Sequence, residues 1–194
     1  MPDEQVFEWM FVVPELDGPA DPRIDLLNLR LDAVVESHNG LNLVTVLTPG
    51  ITALDAARAA ITVLHECGWY VERSYPDLVT RADVTERTGM ERQTIDHWIR
   101  GQRRKDFPRP VHLAGKGLWL WHDVAEWLNA QKVQLEEGAE EVSYPCLADH
   151  AVIDSELRSR LIWSVVAVNS RTASLDTSMI AATSPRRGPL VGAA

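Results

Sequence analysis

The side chains best able to make directional polar contacts crowd into one short stretch near the middle of the chain. Arg92, Gln93 and Thr94 stand in a row, His97 and Arg100 follow at helical intervals, and Arg103-Arg104-Lys105 comes directly after. They do not form a nucleophile-base pair or a metal-ligand set. They are hydrogen-bonding groups, suited to the edges of flat heterocycles and to phosphate oxygens. Gln can pair with adenine and Arg with guanine in bidentate fashion, so Arg92, Gln93 and His97 are the candidate base readers. Thr94, Arg100, Arg103, Arg104 and Lys105 are the candidate phosphate contacts, which place a protein on a duplex without specifying sequence.

Such groups work only if rigid elements hold them. Thr80 is a good N-cap for a helix from Arg81 to Thr88, with Asp83 placed as the acidic partner of a capping box and Ala82, Val84 and Thr88 inward. Gly89 follows, where a tight turn needs a residue tolerant of positive φ. A second helix is predicted from about Glu91 to Arg100, pinned by Ile95, Trp98 and Ile99. Phe107-Pro108-Arg109-Pro110 reads as extended and rigid. Val111 to Leu113 and Leu118 to Trp121 then pair as two strands around Ala114-Gly115-Lys116-Gly117, with Lys116 at the tip, able to approach a phosphate or a minor groove. Asp123 opens a closing helix carrying Val124, Trp127 and Leu128, and Trp98, Trp119, Trp121 and Trp127 are expected to form its core rather than a stacking platform. Helix, glycine turn, helix, wing and closing helix describe a winged helix-turn-helix that binds double-stranded DNA.

Charge agrees locally and disagrees globally. The chain of 194 residues has a formal net charge of −9. Residues 80–122 hold nine basic against five acidic residues, +4, while residues 1–79 hold four against thirteen and residues 123–194 six against ten. A basic segment between acidic flanks is a local electrostatic footprint.

The stretch 78–129 resembles the MerR-like winged-helix superfamily, particularly the small excisionase- or AlpA-type DNA-binding proteins. The likeness rests on LVTRADVTERTGMERQTIDHWIRG, then FPRPV, a glycine-containing wing and LWLWHDVAEWL. By that resemblance Arg92, Gln93 and His97 fall on the recognition helix and Lys116 on the wing.

The N-terminal part reads differently. Val6 to Val13 is an apolar, β-rich run, and Glu15 to Pro22 is turn chemistry with Asp21 as N-cap and Pro22 as the first helical residue. Ile24, Leu27 and Leu31 give a helix to about Leu31. Ala33 to Ser37 and Leu43 to Leu47 form a hairpin through Asn39-Gly40. Ile51 to Cys67 is a helix with Leu54, Ala57, Ile61 and Leu64 inward and Gly68 at its end, and Trp69 to Ser74 is a last strand. The order β-α-β-β-α-β predicts a ferredoxin-like domain over residues 1–76, and the fold class α+β. A winged domain follows over 78–130, a helical region over 131–168 and a flexible tail over 169–194.

Several classes are excluded on composition and motifs. No apolar run reaches the ~20 residues of a membrane helix, and the acidic start MPDEQVFEWM lacks the features of a signal peptide. Cys67 and Cys146 are far apart, as expected of reduced structural thiols. No nucleotide loop, HExxH or nucleophile elbow occurs, and Cys146 with His150 gives two metal ligands without a third. No catalytic residue, cofactor or metal is therefore expected. The reading is a cytoplasmic, non-enzymatic, sequence-specific transcriptional regulator acting as a homodimer. Its N-terminal domain would serve dimerisation or sense a protein partner or small-molecule effector. The alternative is an adaptor- or antitoxin-like interaction module whose winged domain binds protein.

Overall fold

The computed structural model describes residues 4–14, 16–18, 20–133 and 142–160; the expected tail at 169–194 and the end of the expected helical region lie outside these. Residues 1–155 form one compact unit and residues 156–194 a second. The protein is α+β. Among the described residues no helix is long and apolar enough to cross a membrane.

The first unit is organised around β1 (Gln5–Val13), whose neighbours are β2 (Asp32–His38), β3 (Leu41–Gly50) and β4 (Arg73–Ser74). The strand order is β2-β3-β1-β4, each neighbouring pair antiparallel. β1 and β3 pair along their length, from Gln5 opposite Gly50 to Val13 opposite Asn42. β2 and β3 are joined through Asn39 and Gly40, at φ 51° and 83°, the mirror-image turn that suits the twist of a hairpin.

A strand that the sequence pattern does not signal, β7 (Val142–Ser143), pairs parallel to β1 at Val6 and Phe7. Because β3 holds one edge of β1 throughout, β4 and β7 share the other, one at each end. The last strand of the N-terminal region is shorter than Trp69 to Ser74. Trp69 and Val71 are buried by packing, while Glu72 and Tyr75 donate to the Val12 and Met10 carbonyls on either side of β4.

Alternation along β1 turns Trp9 and Phe11 to one face, with Val46 and Val44 opposite them on β3, and all four are fully buried. That face packs against α2 (Ala53–Glu66), whose Ala56, Ala57 and Ala60 let the helix approach closely. Gly50 is required for the approach, since a Cβ there would stand 2.8 Å from the Ala56 nitrogen. Trp9 Nε1 donates to the Ala53 carbonyl at 3.0 Å, so its buried polar atom is satisfied.

Asp21 caps α1 (Pro22–Asn28) by accepting from the Arg23 amide, with Pro22 at the first position. The helix stops before Leu31. Arg30 instead pairs with Glu66 at 2.5 Å and Arg23 stacks over Trp69 at 4.6 Å, which lays α1 beside α2.

A further helix, α6, is described over 147–160. His150 packs edge-on against Trp9 at 4.9 Å, and its Nδ1 is 2.9 Å from Ser74 Oγ. Ser74 N and Oγ both donate to Asp154 Oδ1, at 2.7 and 2.9 Å. With its hydroxyl proton committed to Asp154, Ser74 accepts from His150, which places the imidazole proton on Nδ1. Burial holds the His150 pKa down at about 4, so the ring stays neutral.

Candidate nucleic-acid interface

Two eight-residue helices, α3 (Arg81–Thr88) and α4 (Arg92–Ile99), follow β5 (Leu78–Val79). The capping box forms as its residues demand. Thr80 Oγ1 accepts from the Asp83 amide, and Asp83 Oδ2 accepts from the Thr80 amide at 2.7 Å. Gly89 ends α3 in the left-handed conformation, φ 63°. Val84 and Thr88 are buried on α3, whereas Ala82 is exposed. On α4, Ile95 and Trp98 are buried and Ile99 is half-buried.

The core beneath these helices is aromatic. Trp98 meets Trp127 of α5 (Trp121–Ala130) at 5.2 Å, and Phe107 stands edge-on to both Trp127 and Trp119. Trp119 Nε1 donates to the Pro108 carbonyl and Trp127 Nε1 to that of Lys105, each at 3.0 Å. The indoles thus fix the path of the basic exit from α4 and of the Phe-Pro-Arg-Pro segment. Trp98, Trp119, Trp121 and Trp127 are each at most 7% exposed, too covered for base stacking, as the core reading expects.

The wing differs from its sequence pattern. The expected hairpin reduces to one bridge, His112 with Leu118, and Ala114–Lys116 forms a 3-10 turn. Trp119 and Leu120 instead make β6, which pairs with β5, and Trp121 begins α5. Val111 to Leu113 are exposed, Leu113 by 81%, so a longer strand there would bury nothing. Gly115, Lys116 and Gly117 all have positive φ, which coils the tip. Gly117 is obligatory, because a Cβ would lie 2.8 Å from the Trp119 ring.

The structure sorts the candidate contacts. Arg92 and Gln93 are exposed at the start of α4, where Glu91 makes no side-chain cap bond. Thr94 is half-buried. His97 is half-buried too, its Nδ1 enclosed and without a hydrogen-bond partner among the described residues. Arg100, Arg103 and Lys105 are exposed.

Arg104 is half-buried and held within the protein: Nη1 donates to the Gln131 carbonyl at 2.7 Å and the guanidinium lies 5.8 Å over Trp98. Lys116 is exposed at the tip of the turn. A groove of about 270 Å3 lies between Thr80, Arg81 and Arg92 on one side and Gly115, Lys116 and Gly117 on the other. It brings Arg92 and Lys116 together; Arg100, Arg103, Arg104 and Lys105 do not line it.

Thr80 and Arg81 enter the groove without having been singled out, because each reads from sequence as a fold residue. Arg81 is held by Asp96 at 2.5 Å. Arg87 pairs with Asp77 and stacks over Trp121 at 4.8 Å; that pairing outweighs its partial burial and keeps its pKa above the usual arginine value. Besides Arg87, whose guanidinium is taken by Asp77, the basic residues left exposed in this segment are Arg92, Arg100, Arg103, Lys105, Arg109 and Lys116. Among the described residues no group of three or more His, Cys, Asp and Glu could hold a metal.

Two helices around a glycine turn, the first of them capped, a glycine-flanked lysine loop beside them and a closing helix on a tryptophan core make a compact basic module set in an acidic chain. Residues 77–132, this same module, match the family model described as prophage CP4-57 regulatory protein (AlpA), which bears out the AlpA-type resemblance of residues 78–129. No curated protein and no solved structure matches the chain.

Proposed function

We propose that the protein is a sequence-specific regulator that binds double-stranded DNA through residues 78–130, read as a winged helix-turn-helix with α4 in the major groove and the Lys116 turn as its wing. The observation that carries this is the exposed Arg92 at the N-terminus of α4, facing Lys116 across one groove, with the exposed Gln93 next to it in sequence. Arg92 and Gln93 read base edges, with His97 at the margin. Thr94, Arg100, Arg103, Lys105 and Lys116 hold phosphates. The family match to a prophage regulatory protein supports a regulatory role.

Residues 1–76 are read as a ferredoxin-like domain, supported by the order β2-β3-β1-β4. Residues 131–168 form the C-terminal region, whose β7 completes that domain's sheet, and 169–194 the tail. The protein acts in the cytoplasm as a homodimer, without enzymatic activity. An open cleft of about 940 Å3 between α1 and one end of the sheet, lined by Val13, Ile24, Val35 and Leu41 among others, suits an apolar effector.

The test is binding to a pool of genomic duplex fragments across a range of salt. With four exposed cations assigned to phosphates, log K should fall against log salt with a slope of about −4, since each neutralised phosphate contributes about −0.9. Binding that is absent, or that ignores salt, refutes the proposal.

A further inference from the structure

The two edges of the sheet are built differently. On one, β4 and β7 are each two residues long and occupy opposite ends of β1, a broken edge that offers little to another strand. On the other, β2 is a regular seven-residue strand, Asp-Ala-Val-Val-Glu-Ser-His, with no proline, glycine or lysine to blunt it. Among the described residues no strand pairs with its outer side. A regular open edge is a template for a further strand unless it is protected or used.

The hairpin register says which main-chain groups face outward. His38 and Leu41 flank the two-residue turn and so form a hydrogen-bonded pair, and such pairs alternate along an antiparallel ladder. Asp32, Val34, Glu36 and His38 therefore spend their main-chain groups on β3. Ala33, Val35 and Ser37 present theirs to the outside.

We propose that this edge is where a second copy of the chain pairs, β2 against β2 in antiparallel register centred on Val35. The proposal deepens the homodimer reading above and rests on it. A two-fold axis makes any such contact self-complementary, with each residue pairing i to j and j to i. Centred on Val35, the pair aligns the outward groups, Val35 with Val35 and Ala33 with Ser37, in six main-chain hydrogen bonds. It sets Asp32 opposite His38 and Val34 opposite Glu36. Centring on Val34 would oppose Asp32 to Glu36, and centring on Glu36 would oppose that carboxylate to itself; both place like charges together, which destabilises a cross-strand pair.

The apolar surface around the edge agrees. Val34 is 55% exposed on β2 itself, and Leu26 and Leu29 are 45% and 83% exposed on α1, which packs beside β2 and leads into it. Pairing the edges brings the two copies of α1 toward each other across the joint sheet.

The experiment is sedimentation of the full chain with and without Val35→Pro. Proline removes an outward amide and no bond to β3, a position where edge strands accept it. The wild type should sediment as a dimer and Val35→Pro as a monomer with an unchanged circular dichroism spectrum. A monomeric wild type, or a dimeric Val35→Pro variant, overturns the proposal.

A second test stands even if that variant does not fold. Asp32→Cys combined with His38→Cys should give a disulfide-linked dimer on mild oxidation, while either change alone should not. Within one chain the two positions lie six residues apart, about 20 Å along a strand, so the bond can form only between copies. Cross-linking by either single variant, or none by the double variant, refutes the register. A dimer that passes these tests yet binds no duplex would refute the DNA reading and leave this one standing.

Discussion

Arg103 and Arg104 are neighbours with the same charge, and the structure predicts that their removal has opposite consequences. Arg104→Ala deletes a charge-assisted bond to the Gln131 carbonyl and a guanidinium over Trp98. A hydrogen bond to a charged group contributes about 1.5–3 kcal/mol. A cation over an indole adds about 0.5–1 kcal/mol, with 5.8 Å at the weak end of that range. The expected loss is therefore about 2–3 kcal/mol, which for a chain of this size lowers Tm by roughly 4–10 °C. Arg103→Ala and Lys105→Ala touch exposed side chains and should stay within about 0.5 kcal/mol.

Binding should reverse the order. Each exposed cation that meets a phosphate removes about 0.9 from the salt slope, so Arg103→Ala and Lys105→Ala flatten it while Arg104→Ala leaves it unchanged below its Tm. Thermal unfolding followed by tryptophan fluorescence, beside salt titrations of duplex binding, measures both. If Arg104→Ala flattens the slope without lowering Tm, the division of labour argued from its contacts is wrong.

Three further outcomes follow from named contacts. Thr80→Ala should cost about 1 kcal/mol through loss of the capping box, with Thr80→Ser restoring most of it; equal stability of all three in urea would mean that the cap is not holding α3. Asp96→Asn removes the partner of Arg81 at the rim of the groove, so duplex affinity should rise and the salt slope steepen by up to about 0.9; an unchanged slope would place the phosphate elsewhere. Burial holds the His150 pKa at about 4 against an ordinary 6.5, so the unfolded chain takes up the proton first. Stability should be fully present above pH 6.5 and fall toward pH 4, by at most about 3 kcal/mol, and His150→Gln should flatten the profile in that window.

How much of this was legible in the sequence depends on whether the signal was local. The capping box at Thr80 and Asp83, the left-handed Gly89 and the Asn39-Gly40 turn are decided within four residues, and the structure has each where its residues require. The inward set on α4, Ile95 and Trp98, follows from the helical period. The strand β7 was not legible, because Val142 and Ser143 carry no pattern of their own and owe their conformation to an edge of β1 more than 130 positions away. The wing was misread for a related reason. Leu118 to Trp121 has strand composition, but β5 offers Trp119 and Leu120 a partner that buries them, and the exposed Val111 to Leu113 segment does not. Arg104 was indistinguishable from Arg103 by type; only Gln131 and Trp98, distant in sequence or one turn back, separate them. Which cation is exposed is a tertiary fact, and that determines which candidate contacts remain open to a ligand.

The passage from sheet to helix pair bears on what a paired sheet could do. Only Tyr75, Pro76 and Asp77 separate β4 from β5, and Asp77 is held twice. Its carbonyl accepts from the Trp121 amide at 2.9 Å, and its carboxylate pairs with Arg87, which in turn lies over Trp121. Tyr144 closes the same junction, edge-on to Trp121 and accepting at its carbonyl from His122 Nδ1 at 2.6 Å. Burial raises the Glu8 pKa there, so the sheet side of the junction sheds charge more readily than an exposed carboxylate would. A three-residue link fastened by an ion pair and a backbone bond does not swing as a flexible tether does. Two copies joined through β2 would then hold their α4 helices at one separation. DNA selected by the dimer should accordingly show two half-sites at a single fixed spacing, and Asp77→Ala, which removes the ion pair, should broaden that spacing before it abolishes binding to a half-site. Half-sites at many spacings with the native chain would mean that the junction is looser than its contacts require.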